Sequence, residues 1–136
     1  MRQPVQGSVV TRQVSEPIFH IAPAAAWAES VDSYAPAAFE REGFVHCSTG
    51  AQVMRVANFL FRGRSDLVLL MIDSKRVAGR VRYENLEGGV ELFPHVYSAL
   101  SRDAVVAAEP LTLCADGTLD RSSVERCISL WRAGHR

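Results

Sequence analysis

The clearest pattern along the chain is a helical repeat of apolar residues that begins at Val53. This spacing predicts the apolar face of an amphipathic helix. Just ahead of it, Thr49 and Gln52 have the spacing of a helix capping box, and Gly63 supplies a stop. By contrast, residues 66–73 enclose a continuous apolar run, which predicts a central strand buried on both faces. The apolar positions of the helix are Val53, Val56, Ala57, Leu60 and Phe61.

Shorter segments complete the predicted order of helices and strands. Pro23 and Pro36 each open a short predicted helix, and Gly43 lies where a left-handed residue ends the second. Because helices fall mainly in the first half and strands in the second, the order predicts an α+β domain. A last helix over 120–132 has one apolar stripe and is expected to dock on the core or on a partner chain. A homodimer is therefore one of the alternatives. The other predictions are strands at 17–21, 44–48, 80–84, 93–97, 104–108 and 111–114, helices at 24–30 and 36–40, and turns at 87–89 and 116–117.

Three histidines lie inside strand-like apolar segments: His20, His46 and His95. Side chains of a strand alternate between its two faces, so His46 is expected on the face of Ser48. By the same rule His95 is expected on the face of Tyr97. Imidazole is costly to bury unless its nitrogens are hydrogen-bonded, and ionisable groups gather at functional sites. The three placements therefore predict a polar cleft cut into a sheet.

Composition is that of an ordinary globular domain. The chain has 136 residues, of which 48% are apolar and 22% charged, and its formal net charge is zero. Charge neutrality does not favour nucleic acid or an anionic membrane as a partner, although it allows a small phosphate-bearing ligand. No signal peptide and no membrane-spanning run are evident, so the expected location is the cytoplasm.

The histidines also raise a metal site as an alternative. Three imidazoles are the ligand set of some catalytic zinc centres, but no HxH or HExxH spacing is present, and no metal is assigned. The three cysteines lack the CxxC spacing of a thiolate zinc site. Cys47 follows His46 directly and points to the opposite face, so we interpret it as a buried structural cysteine.

Several blocks of the sequence resemble the bacterial domain-of-unknown-function family 952. The most specific are residues 42–48 (EGFVHCS) and 93–97 (FPHVY), and the match extends over about 18–108. The chain departs from the family pattern at Ser98-Ala99, where Gly-Pro is more common. The resemblance implies one domain over 16–115, with a loose leader over 1–15 before it and a helical extension over 116–136 after it.

That family in turn resembles the ADP-ribosyltransferase superfamily, particularly the rifamycin ADP-ribosyltransferases and the RNA 2′-phosphotransferases. The resemblance implies split β-sheets with short helices in the first half. It also implies that His20 contacts a nucleotide ribose and that His46 stands where relatives place a tyrosine that stacks on nicotinamide. The third motif position, often Glu or Asp in the relatives, falls near residues 93–97, with Glu84 and Glu91 upstream.

The leading hypothesis is thus an NAD-utilising transferase, or a diverged relative, that binds NAD or an ADP-ribose-like nucleotide in a His-lined cleft. NAD would be the substrate of ADP-ribosyl or related transfer to an unassigned acceptor. A non-catalytic nucleotide-binding module and a metal-dependent hydrolase that uses three histidines are the alternatives. The residues assigned to catalysis are His46, His95 and Glu84, and those assigned to the nucleotide are His20, His46, Ser48 and Tyr97.

Overall fold

The computed structural model of the protein describes residues 16–86 and 88–134. The predicted leader over 1–15 and the first residue of the predicted turn at 87–89 lie outside the described residues. In the described part, the strands form a four-stranded, a three-stranded and a two-stranded sheet, and each strand pairing is antiparallel. A few helices pack around these sheets, which confirms the predicted α+β class.

The elements follow each other in the order of the sequence. The strands are β1 (Ile18–Pro23), β2 (Ser33–Tyr34), β3 (Val45–His46), β4 (Ser48–Thr49), β5 (Leu67–Ile72), β6 (Val81–Glu84), β7 (Phe93–Val96), β8 (Leu100–Ser101) and β9 (Val105–Pro110). The helices are α1 (Ala24–Glu29), α2 (Phe39–Glu42), α3 (Val53–Leu60) and α4 (Ser122–Gly134), and a 3-10 turn (Arg102–Ala104) precedes β9. The sheet orders are β4-β1-β5-β9, β3-β7-β6 and β2-β8.

Strand β5 forms the centre of the larger sheet. All six of its residues are buried, as the continuous apolar run predicted. It pairs with β1 along one edge and with β9 along the other. Its alternate residues belong to two different core clusters: Leu69 and Met71 pack with the residues of α3 and α4, whereas Leu70 and Ile72 pack toward the smaller sheets. The larger sheet therefore separates the two helices from the smaller sheets.

Helices α3 and α4 form where the two amphipathic patterns predicted them, although Leu60 of the predicted apolar face is 59% exposed. Val53 and Ala57 of α3 are completely buried, and the side-chain oxygen of Gln52 accepts a hydrogen bond from the backbone N–H of Thr49 at 3.0 Å. This bond is one half of the predicted capping box. Helix α4 buries Val124, Cys127 and Trp131 in the same cluster as α3, so it docks on the core of its own chain. None of the helices within 16–86 and 88–134 is long and apolar enough to cross a membrane.

Two predicted elements differ in the structure. Helix α2 begins at Phe39 instead of Pro36, because the residues after the proline form a turn in which Phe39 N–H donates to Pro36 O at 2.9 Å. The predicted strand over 111–114 is wrong. Leu113 forms only an isolated bridge to Leu119, and Leu111 N–H donates to Leu67 O at 3.1 Å, while the two leucine side chains pack with the core beside α3 and α4.

The predicted strand over 44–48 is divided between two sheets. Its first part, β3, pairs with β7, whereas β4 pairs with β1 of the larger sheet. Cys47 lies at the change of sheet, and its N–H donates to Pro94 O at 3.0 Å. We call residues 45–49 the bridging segment. It brings the three-stranded sheet beside β1, and with it His46 beside His20.

Candidate functional site

The three-stranded sheet carries a row of polar side chains across one face. His46 of β3 lies opposite His95 of β7, and His95 lies opposite Arg82 of β6. The two imidazole rings are 5.2 Å apart between centroids. Because neighbouring strands are spaced by about 4.8 Å, the backbones at the two ends of the row are about 10 Å apart. We call these three residues the polar row.

His95 is the buried centre of the polar row, with 1% of its surface exposed. Its Nδ1 lies 3.0 Å from Oε1 of Glu84. An ionised carboxylate only accepts hydrogen bonds, so Nδ1 of His95 is the donor. Oε1 of Glu84 also accepts a hydrogen bond from the Tyr97 hydroxyl. The hydrogen bonds from Tyr97 and His95 hold the pKa of Glu84 below its ordinary value, so Glu84 is ionised at neutral pH.

The same contact shifts the pKa of Tyr97 upward, opposite to its effect on the pKa of Glu84. Its hydrogen bond to Glu84, together with burial and the carboxylate charge, raises the pKa of the Tyr97 hydroxyl. Ionising this hydroxyl would break a donated hydrogen bond and place a second negative charge beside the carboxylate.

Replacing Glu84 by glutamine is therefore expected to lower the pKa of Tyr97 toward its ordinary value. The measurement is a titration of the phenolate absorbance, in which Tyr97→Phe identifies the contribution of this tyrosine. Glu109→Gln is the matched control, because Glu109 is also a strand carboxylate paired with an arginine. An unchanged Tyr97 titration in Glu84→Gln would contradict the contact.

Phe44 covers the middle of the polar row. Its ring stacks on that of His95 at 4.3 Å between centroids and meets the edge of His46 at 4.7 Å. The ring of Tyr97 lies 5.3 Å away from it. The accessible parts of the row are thus its two ends, since the side chains of His46 and Arg82 are 46% and 55% exposed.

The turn after α2 places a carboxylate at the His46 end of the polar row. Gly43 ends α2 with φ +83°, as the sequence predicted, and its N–H donates to Phe39 O at 2.7 Å. This turn places Oε1 of Glu42 3.0 Å from Nε2 of His46.

His20 reaches the same place from the larger sheet. Its Nδ1 lies 2.6 Å from the backbone oxygen of His46. A carbonyl oxygen only accepts, so Nδ1 carries the proton and Nε2 is an acceptor lone pair. Nε2 is buried and has no hydrogen-bond partner among residues 16–86 and 88–134. Burial, partly offset by the bond to the His46 carbonyl and assisted by the nearby His46 ring, lowers the pKa of His20 to about 4, so the ring is neutral at pH 7.

The three histidines lie near one another, as predicted, but they do not line an open cleft. His20 and His95 are 8% and 1% exposed, and His46 alone of the three reaches solvent. Burial is tolerated because each of the two buried rings donates one hydrogen bond to an oxygen acceptor. Two cavities of the described chain lie away from the polar row. One of about 290 Å³ is bounded by Phe19, Thr49, Tyr83, Ile128 and Arg132, and a shallow one of about 500 Å³ lies along α4 and β9.

Two sequence candidates have other places in the fold. Ser48 is buried in β4 opposite Phe19, because the chain changes sheets after His46, so the structure does not bring Ser48 into the polar row. Glu91 accepts hydrogen bonds from Gln52 at 3.0 Å and from Arg55 at 2.5 Å, and thereby ties its loop to α3.

Cys47 is buried, and burial raises the pKa of its thiol far above the ordinary range. This environment suits the predicted structural role and disfavours a thiolate nucleophile. A metal centre has equally little support. Among residues 16–86 and 88–134, no group of three or more His, Cys, Asp or Glu side chains is arranged to hold a metal ion.

Three members of the site, Arg82, Phe44 and Glu42, were not among the candidates that the sequence suggested. Arg82 alternates with Tyr83 in β6 and therefore shares a face with Glu84, a signal that the alternation already contained. Phe44 shares the predicted face of His46 in the same way. Glu42 carried no such signal, since its approach depends on the turn at Gly43.

Comparisons with known proteins agree with this fold. A family model described as "Protein of unknown function (DUF952)" matches residues 21–108. The crystal structure of protein CC0527 from Caulobacter crescentus has 31% sequence identity and a TM-score of 0.69, covering 79% of this chain and 96% of that chain. The solution NMR structure of the same protein has 29% identity and a TM-score of 0.64, covering 79% and 94%. No curated protein matches the chain.

Proposed function

The chain belongs to the DUF952 family, and we propose that it binds NAD or an ADP-ribose-like nucleotide where His20 meets the polar row. The observation that carries the proposal is the buried Nε2 of His20, which has no hydrogen-bond partner in the part of the chain that the structure describes. Buried polar atoms in native proteins are nearly always hydrogen-bonded, so an exception calls for a missing partner. A ligand that fills this position must donate a hydrogen bond, because Nε2 is an acceptor.

The direction of that hydrogen bond selects the chemistry of the ligand. A ribose hydroxyl can donate to Nε2, whereas an ionised phosphate has only acceptor oxygens. The neutral state of His20 at pH 7 further disfavours an anion at this nitrogen. The resemblance of the residue pattern to ADP-ribosyltransferases supports the same assignment, with His20 on the ribose.

The surroundings of His20 are aromatic. The Tyr34 ring lies 5.8 Å from that of His20, and Trp27 packs edge-on against Tyr34 at 6.1 Å. Since Nε2 has no accessible surface, the ribose reaches it when a neighbouring side chain moves aside. His46 and Tyr97 then hold the base or the nicotinamide, with His46 as the accessible ring.

The transferase form of the proposal assigns the chemical step to the polar row. The bond between nicotinamide and C1′ of the ribose breaks, and its electron pair leaves with nicotinamide. The acceptor then bonds to C1′ and loses its proton to His46. The ionised Glu84 stabilises the positive charge that develops at C1′, while His95 and Tyr97 fix the position of the carboxylate.

Calorimetric titration with NAD, ADP-ribose and nicotinamide tests the binding proposal. The wild-type protein is expected to bind NAD or ADP-ribose at millimolar concentration or below. His20→Asn keeps a side-chain N–H for the His46 carbonyl but removes the acceptor at Nε2, so it should weaken binding about tenfold. Ser123→Ala, which changes a buried polar residue beside Pro110, is the control and should bind like the wild type. Absence of wild-type binding, or equal binding by His20→Asn, would contradict the proposal.

Mass spectrometry of the protein incubated with NAD separates the enzyme from a non-catalytic module. Release of free nicotinamide that stops in Glu84→Gln supports the transfer step. Nucleotide binding without any nicotinamide release assigns the site to recognition alone.

A further inference from the structure

Arg82 lies at one of the two exposed ends of the polar row, and its side chain has unused hydrogen-bonding capacity. Its Nε is 3.9 Å from Oε2 of Glu84, which exceeds hydrogen-bond distance. Its guanidinium carbon lies 5.8 Å from the centre of the Tyr97 ring. Within the described chain, no hydrogen bond from the Arg82 side chain is formed.

Three other arginines of the protein use their side chains in hydrogen bonds. Arg64 binds both carboxylate oxygens of Asp66 at 2.9 and 2.6 Å, and Arg102 donates to the carbonyl groups at the end of α1 while stacking on Trp27. Arg126 makes two hydrogen bonds to Glu109 at 3.1 and 3.2 Å. Arg82 differs from these because its neighbouring carboxylate is occupied on Oε1 by Tyr97 and His95.

We infer that Arg82 binds the diphosphate of the nucleotide ligand. The inference rests on the proposed function and extends it, because the neutral acceptor on His20 cannot hold a phosphate. The planar fork of arginine matches two phosphate oxygens, and such charge-assisted bonds are stronger than neutral ones. Arg82 also shares its sheet face with His46, so a ligand between the row's two exposed ends contacts both.

The roles of His20 and Arg82 are therefore complementary. His20 selects a hydroxyl donor at the junction of the sheets, and Arg82 selects an anion about 10 Å from the His46 strand. Glu84 lowers the net positive charge near Arg82, but its Oε1 points to Tyr97 and His95. A nucleotide with both a ribose and a diphosphate satisfies both requirements, whereas a nucleoside satisfies only the first.

Calorimetry with ADP-ribose, adenosine and inorganic pyrophosphate tests this assignment. Arg82→Gln is expected to weaken ADP-ribose binding about tenfold or more and to leave adenosine binding unchanged. Arg82→Lys keeps the charge but loses the planar fork, so its affinity for ADP-ribose should lie between those of the wild type and of Arg82→Gln. Arg126→Gln is the matched control, since Arg126 is 52% exposed beside a strand glutamate, and it should bind both ligands normally.

The outcomes separate the two levels of the proposal. If the wild-type protein binds neither ADP-ribose nor NAD, the proposed function fails. If it binds ADP-ribose and Arg82→Gln binds equally well, only the role of Arg82 fails. Pyrophosphate binding as tight as that of ADP-ribose would overturn the assignment of the anion to a nucleotide. Equal losses for adenosine and ADP-ribose in Arg82→Gln would indicate a structural role instead.

Discussion

Replacing Gly79 by alanine is expected to destabilise the protein by at least about 2 kcal/mol, because the added methyl group has no space. A Cβ at this position would lie 2.4 Å from the backbone oxygen of Tyr97 and 2.7 Å from the Cβ of Ser98. The first obstacle is backbone, which cannot rotate away as a flexible side chain can. Gly79 N–H also donates to the Ser98 hydroxyl at 2.9 Å, so the two segments are fixed against each other.

The substitution should change the contacts of the candidate site as well as the stability of the whole protein. Tyr97 N–H donates to Arg80 O at 2.9 Å, so pushing the two segments apart moves Tyr97 away from Glu84. Thermal unfolding should show a melting temperature lower by roughly 8 °C. The Tyr97 hydroxyl should then titrate closer to its ordinary pKa.

Gly134→Ala is the control for this experiment. Nothing lies within 4 Å of a Cβ at Gly134, and alanine suits a helix better than glycine. Its melting temperature should therefore match or slightly exceed that of the wild type. A Gly79→Ala protein as stable as Gly134→Ala would refute the close approach of the two segments.

The second large effect is a loss of stability at acidic pH, caused by the burial of His20. His20 is buried as a neutral ring with a pKa lowered to about 4, whereas an unfolded histidine has its pKa near 6.5. Between these values the unfolded chain binds a proton that the folded chain does not, so the free energy of unfolding falls as the pH falls. The loss begins as the pH drops below about 6.5 and reaches about 3 kcal/mol at pH 4.

Urea unfolding of the wild type and of His20→Asn at pH 7, 6, 5 and 4 measures this contribution. Asparagine does not titrate, so the difference in the free energy of unfolding should shift in favour of the variant as the pH falls. The carboxylates with lowered pKa values, such as Glu84 and Glu91, also cost stability in acid, but they are common to both proteins. A difference that stays constant from pH 7 to pH 4 would show that His20 is not buried as a neutral ring.

Much of the fold was predictable because its signals are local. The apolar stripe of α3, the continuous apolar β5 and the left-handed Gly43 each follow from the chemistry of a few consecutive residues. The two-residue strands at 33–34 and 100–101 were missed, since a pair of residues is too short to show alternation. Leu111 and Leu113 gave a false strand, because an apolar alternation looks the same whether it pairs with a sheet or fills a core.

The site shows the same division between local and distant causes. The shared face of His95 with Tyr97 followed from alternation, and both side chains contact Glu84. The burial of His20 and His95 depends on oxygen acceptors supplied by other strands, and no pattern around either histidine reveals them. The separation of Ser48 from the polar row depends on a change of sheet at Cys47 that sequence spacing does not record.

The bridging segment over 45–49 has a consequence for how the protein melts. The larger sheet takes its β4 edge, and the three-stranded sheet its β3 edge, from this one stretch of chain. Loss of either pairing frees the backbone that anchors the other, so the two sheets form a single cooperative unit. A residue inserted beside Cys47 would reverse which face each following side chain occupies, so we expect the segment to tolerate length variation poorly.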